Sequence, residues 1–196
     1  MNKKVNLDIN TSFHKVLQDI ENIFWFYIFS NNVLADPNIQ DLVKSKGVGA
    51  PYLLSMLDKY NKWVNLHIEI DYINNRYTSK LNVLNSSIVI GKIMAISTYE
   101  LLLFSEYCDG IKNAEEFKFL RHIRNGAAHN NKFYFKNRKG EWTLEENEII
   151  KWKNQEINRK LQGKTVFNDF ISFSGMFLLA NHFSEELKQI DKIIKT

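Results

Sequence analysis

Residues 113–135 read NAEEFKFLRHIRNGAAHNNKFYF. Phe117, Leu120 and Ile123 recur at helical spacing, and Asn113 with Glu116 has the form of a capping box, so the stretch predicts an amphipathic helix opening at Asn113. That helix delivers Arg124 and Asn125 onto three small residues, Gly126, Ala127 and Ala128, followed by His129, two asparagines and an aromatic run. On an unbroken helix, side chains five positions apart point ~140° away from each other, a poor geometry for a shared site. Either the backbone bends or both groups border a cleft. Gly126 is the permissive position for a bend, and the alanines leave room for another backbone or a substrate to approach. An uninterrupted helix would instead align Arg121, Asn125 and His129 as a polar stripe.

The segments on either side place this helix in a mainly α chain. Asn10, Thr11 and Ser12 are good N-cap residues, and Phe13, Leu17, Ile20, Phe24, Tyr27 and Ile28 then predict a helix over 11–33, ended by Ala35–Asp36–Pro37. Residues 38–46 suit a short helix. Pro51 suits the start of another, with Leu54, Leu57, Tyr60, Trp63 and Val64 on its apolar face. Val64, Leu66, Ile68, Ile70 and Tyr72 alternate with polar residues, which reads either as a half-buried strand or as continuation of that helix. Residues 82–87 read as a polar linker, and 88–107 as a core helix stopped at Gly110. Beyond the motif, residues 132–144 suit a β-hairpin about a Lys-Gly turn. A short strand at 149–152, a helical turn ending at Gly163 and a closing helix over 168–194 follow, the last carrying Phe170, Phe173, Phe177, Ala180, Phe183 and Leu187.

Composition agrees. With 196 residues, 44% hydrophobic, and only two prolines and eight glycines, the chain can bury one substantial core built from long uninterrupted segments. It is read as one domain, 1–196, with a helical core at about 11–130 and 168–194 and a β-containing insertion at about 132–165. A single cysteine, Cys108, excludes an intrachain disulfide and fits a reducing cytoplasm. The N-terminus lacks the apolar run of a secretory signal. The stretch IVIGKIMAISTYELLLF is interrupted by Lys92 and Glu100, so it reads as a buried helix of a soluble protein rather than a membrane span. Net charge is +4, but the window 112–140 holds eight basic residues against Glu115 and Glu116, a local +6 that leaves −2 for the remainder. The basic surface is concentrated around the motif.

A histidine titrating near neutrality can take and return a proton, and an arginine fork can stabilise a phosphate in transition. Those two groups suffice to cleave RNA without a metal, because the ribose 2′-OH supplies the nucleophile. Arg121, Lys132, Lys136 and Arg138 offer phosphate contacts, and Tyr134 and Trp142 a stacking surface. The same residues also suit a plain helix C-terminus, with Asn130 and Asn131 capping it and His129 beside its dipole. His67, Glu69 and Asp71 could converge on a metal, but no further ligand cluster accompanies them. His14 and His182 read as packing or surface residues, and His122 faces away from Asn125. No Gly-rich phosphate loop or serine nucleophile elbow is present.

FLRHIRNGAAHNNKF, residues 119–133, resembles the signature of the HEPN superfamily, an Arg-polar-spacer-His motif in an all-α domain, here Arg124, Asn125, the spacer 126–128 and His129. The order of long helices, motif, hairpin and final helix is similar to bacterial HEPN families with a β-insertion. The resemblance implies an antiparallel helical bundle and a metal-independent endoribonuclease without cofactor. Such enzymes are usually cytoplasmic homodimers whose facing motifs form one cleft, acting on single-stranded RNA or tRNA in toxin–antitoxin or phage-defence systems, with a possible antitoxin or defence partner. By that analogy Arg124 stabilises the scissile phosphate, His129 is the acid/base and Asn125 positions both. The resemblance also admits a non-catalytic module that binds RNA or a protein partner.

Overall fold

The structure is a computed structural model that describes residues 12–38, 41, 45, 52–57, 63–68 and 80–194. Mainly helical, as expected, its described residues form helices α1 (Gln18–Ala35), α2 (Lys80–Leu103), α3 (Cys108–Ile111), α4 (Glu115–Ala128) and α5 (Phe173–Ile194). Two antiparallel strand pairs accompany them, β1 (Tyr52–Leu57) with β2 (Trp63–Ile68) and β3 (Ile150–Trp152) with β4 (Gln155–Ile157). By contacts the chain divides into two units, Met1–Phe24 with Ile88–Thr196, and Trp25–Ser87.

In the unit 25–87, β1 and β2 pair with Tyr52 opposite Ile68 and Leu57 opposite Trp63. The α1 residues within it leave Phe26 and Phe29 largely exposed. The other unit has an apolar interior in which α4 and α5 each present one buried stripe. Phe117, Leu120 and Ile123 come from α4, and Met176, Leu179, Ala180, Phe183 and Leu187 from α5. The Phe24 ring stacks on Phe177 at 3.7 Å between centroids, and Phe13 stacks on Phe177 at 5.0 Å. Burying rings of this size contributes roughly 2–3 kcal/mol each, which is why these positions carry most of the core. The insertion packs on α4 through Phe119, whose ring lies 5.7 Å from Trp152 and 5.9 Å from Phe170. A bond from Lys151 N–H to Glu115 Oε1 at 2.7 Å ties it to α4 further, while Phe135 N–H to Gln162 Oε1 at 2.8 Å and the Gln155 amide on the Phe170 carbonyl hold the insertion and the segment after it together.

Several boundaries differ from the sequence reading, for identifiable reasons. The first helical run opens at Lys15, not residue 11, as a 3-10 turn capped by His14, whose ring accepts from Val16 N–H. The helix expected from Pro51 is the strand β1, and the alternating run beginning at Val64 is resolved as strand over Trp63–Ile68. Pairing with each other satisfies both backbones, which a local helical period could not reveal. Residues 82–87 are not a linker, because α2 already runs from Lys80. It stops at Leu103, and Gly110 lies inside the short α3 instead of ending a helix. Asn113 does not cap α4: the N-cap is Ala114, without a side-chain bond, and Glu115 is engaged by Lys151. The expected hairpin is reduced to a single bridge, Lys136 to Trp142, about a turn with Gly140 at φ +81°. The last helix begins at Phe173 because 168–170 form a turn and Ile171 bridges back to Phe167. The short helix at 38–46 falls almost wholly outside the described residues.

Over Val83–Leu103, α2 is long and apolar enough to cross a membrane by length and composition, with mean hydropathy 1.4, and 28% of it is buried. Gly91, Met94, Ala95, Thr98 and Leu102 form its buried face, whereas Val89 and Ile93 are exposed. The expectation of a buried helix holds for that one face.

Candidate active site at the end of the motif helix

The last turn of α4 carries Arg124 and Asn125, and His129 is its C-cap. The helix ends here because His129 leaves helical dihedrals (φ −109°, ψ 68°) and Asn130 and Asn131 follow at φ 53° and 61°. Asparagine tolerates that left-handed region better than other side chains with a Cβ. The bend that ends the helix after the motif therefore lies at 129–131. Gly126, expected to supply it, is regular helix. It is glycine for packing: a Cβ there would overlap Val166 Cγ2 and come within 3.2 Å of the Lys132 carbonyl oxygen.

Arg124 is held from two directions. Its Nη2 donates to Glu100 Oε1 at 2.5 Å, its Nη1 donates to Asn125 Oδ1 at 3.3 Å, and its guanidinium carbon lies 5.4 Å from the Tyr99 ring centre. Two of the five guanidinium N–H groups are thus used, Nε is buried without a partner, and the side chain is 32% exposed. The His129 N–H is shared between the carbonyls of Asn125 at 3.0 Å and Gly126 at 3.1 Å. Its imidazole is exposed, 6.4 Å from the Tyr134 ring, with no hydrogen bond among the described residues. Asn125 consequently touches both: its side chain meets Arg124 and its carbonyl meets the His129 amide.

The loop after His129 is pinned by Asn131. Its Oδ1 accepts from Phe167 N–H at 2.8 Å, its Nδ2 donates to the Phe167 carbonyl at 3.0 Å, and its own carbonyl accepts from Val166 N–H at 3.0 Å. Val166 and Phe167 fit a notch made by two glycines, Gly126 of α4 and Gly91 of α2, where a Cβ would stand 2.7 Å from the Phe167 ring.

The basic residues are only partly gathered. Lys132 is exposed beside His129, its N–H donating to the His129 carbonyl at 3.2 Å. Arg121 is exposed further back on α4, without a polar partner among the described residues. Lys136 lies in the turn with its Nζ 4.8 Å from the Trp142 ring centre, and Arg138 is exposed beyond it. Of the eight basic residues in 112–140, Lys112 and Arg124 have carboxylate partners at 2.5 Å, and the remaining six have none among the described residues.

Three contributors escaped the sequence reading. Glu100 holds Arg124 from 24 residues away, and nothing local marks it. Lys164 is exposed next to Thr165, which bridges to Lys132. Arg159 places its guanidinium 4.7 Å from the Trp142 ring centre. With Lys136 and Arg159 both over that ring, Trp142 is not the free stacking surface expected.

The other histidines have structural settings. His122 is buried edge-on against Phe135 at 5.4 Å, and burial first, then the Arg121 charge, push its pKa down to about 4, so it is a neutral core residue. His14 is buried, with Nε2 3.2 Å from Asp191, which also accepts from the Tyr107 hydroxyl at 2.5 Å. That bond is the main reason Tyr107 is pushed up to about 12. His182 stands 3.5 Å from Glu186, whose carboxyl burial raises above the usual range. Cys108 is half-buried and free. The suggested His67, Glu69 and Asp71 set lies outside the described side chains, and among the described residues no group of three or more His, Cys, Asp or Glu is placed to hold a metal.

Chemically, an arginine with unused N–H groups can hold a phosphate, and an exposed imidazole can exchange a proton with the phosphate's substituents. Comparison with protein-family models, with curated proteins and with solved structures finds no match to this chain.

Proposed function

We propose that this chain is a metal-independent endoribonuclease of HEPN type. The observation that carries the reading is the double engagement of Asn125, which joins the Arg124 side chain and the His129 backbone at one helix end. Arg124, with one N–H on each terminal nitrogen still to give, clamps the scissile phosphate. His129, exposed and unengaged, takes the proton from the attacking 2′-OH and returns one to the departing 5′-oxygen. The products are a 2′,3′-cyclic phosphate and a 5′-OH. Lys132, Lys136, Arg138 and Arg121 supply sequence-independent attraction for the backbone. The proposal includes a homodimer acting on single-stranded RNA or tRNA in a bacterial cytoplasm, as a toxin or defence effector with a cognate protein partner, and with no cofactor or membrane.

The test is incubation of the purified protein with total RNA in EDTA, beside Arg124→Ala and His129→Ala. Cleavage by the wild type alone, leaving cyclic phosphate ends, supports the reading. Equal cleavage by all three proteins, or none by any, overturns it. A second reading, a non-catalytic HEPN-type module that binds RNA or a protein through this surface, is favoured by the existing ion pair of Arg124 with Glu100, which partly satisfies the guanidinium without a phosphate. Salt-sensitive binding without breakdown supports that reading.

A further inference from the structure

The aromatic run Phe133–Tyr134–Phe135 splits sharply between inside and outside. Phe133 and Phe135 are 0% and 1% exposed, stack on each other at 5.6 Å, and belong to the core of the insertion. Tyr134 between them is 56% exposed, so alternation along an extended backbone turns its ring away from that core. Its ring centre is 6.4 Å from that of His129, and its hydroxyl makes no hydrogen bond among the described residues. The other aromatic groups of the insertion are unsuited to receive a flat ligand: Trp152 is buried and Trp142 already lies under Lys136 and Arg159. Tyr134 is thus an open aromatic face beside the exposed imidazole. Lys132, two residues before Tyr134, is exposed, and so is Lys164, which adjoins the Thr165 that bridges to Lys132.

We propose that Tyr134 is the stacking platform for an unpaired base flanking the phosphate that His129 handles, and that it restricts the ligand to single-stranded RNA. This rests on the reading of His129 and Arg124 as an RNA site. A nucleotide whose phosphate lies at His129 carries its base only one ribose away, which is where the Tyr134 ring stands. A base in a duplex is stacked on its neighbours and cannot lie on the ring without unpairing. Stacking is tolerant of base identity because every base offers a π-face, so the platform selects strandedness, not sequence.

The probe is a short RNA containing 2-aminopurine, with 2′-deoxyribose at the cleaved position so that it binds without reacting, used with a reactive all-ribose twin. Wild-type protein is expected to quench the fluorophore when it sits next to the deoxy position. Tyr134→Phe is expected to behave as wild type. Tyr134→Ala is expected to lose the quench, weaken binding about tenfold and raise KM by a similar factor with kcat little changed. Replacing the flanking base by an abasic site is expected to weaken wild-type binding about tenfold and Tyr134→Ala binding far less, since the two changes remove the same contact. A wild type that cleaves the twin while Tyr134→Ala keeps its KM and its quench overturns the platform and leaves the nuclease standing. A wild type that binds and quenches without cleaving overturns the nuclease and supports the platform. A wild type that neither binds nor cleaves overturns both.

Discussion

Arg124 and Glu100 meet at 2.5 Å between α4 and α2, each about one-third exposed. The pair fixes the direction of a guanidinium whose remaining N–H groups are the proposed phosphate clamp. Glu100→Gln keeps an acceptor of the same shape and removes the charge, whereas Glu100→Ala frees the arginine. With this exposure the pair contributes about 1 kcal/mol to stability, so Glu100→Ala is expected to fold and to lower RNA cleavage about tenfold, with Glu100→Gln between it and wild type. Single-turnover cleavage beside thermal melting checks this. Loss of activity that merely tracks loss of folded protein would refute the positioning role.

Gly126 is fitted against Val166 and the Lys132 carbonyl. Gly126→Ala, although it replaces glycine by the best helix former, is expected to destabilise by about 1–3 kcal/mol through overpacking. The contact at fault is a side-chain methyl, so Val166→Ala in the same chain is expected to recover part of the loss. Urea unfolding of the single and double variants measures the coupling. An alanine at 126 that raises the midpoint would show that the notch has slack.

Asn131 combines a left-handed backbone with two side-chain bonds to Phe167. Asn131→Gly keeps the backbone freedom and removes the bonds, and Asn131→Ala loses both. The expected order of stability is wild type, then Gly, then Ala, with the alanine about 2–3 kcal/mol down. Equal stability of the two variants would show that the bonds dominate and the dihedral costs nothing.

His122 ties the fold to pH. Its folded pKa of about 4 lies below the ordinary value of 6.5, so between those values the unfolded chain binds a proton that the folded chain excludes. Stability therefore rises with pH through that window, and on acidification is lost from about pH 6.5 downward, by an amount on the order of 3 kcal/mol once below pH 4. His122→Leu is expected to flatten the slope between pH 4.5 and 6.5 in urea titrations, whatever its effect at neutrality. An unchanged slope would assign the acid sensitivity to other groups.

The helical character of the chain and the position of the motif at a helix end were legible because both are local. The apolar spacing of Phe117, Leu120 and Ile123 needs only one helix to be read. What escaped is mostly long-range. Glu100 lies 24 residues before the arginine it holds, and looked like an interruption in an apolar run. Pro51 reads as a helix start because N1 tolerates it, but β1 has β2 as its partner, and that pairing outweighs the local preference. Asn113 and Glu116 have capping-box spacing, yet a downstream strand engages the neighbouring Glu115, and the helix begins beside it. Gly126 was assigned to conformational freedom when its neighbour across space, Val166, explains it better. The exposed Tyr134 between two buried phenylalanines follows from strand alternation, whereas the capture of Trp142 by Arg159 does not.

Asn131 reaches past a whole insertion to grasp the backbone of Phe167, so the loop carrying His129 is closed by chain that is synthesised well after it. A fragment ending before Val166 contains every residue of the motif and lacks the latch that shapes it. The shape of this loop is therefore settled only when chain 36 residues beyond Asn131 has been made.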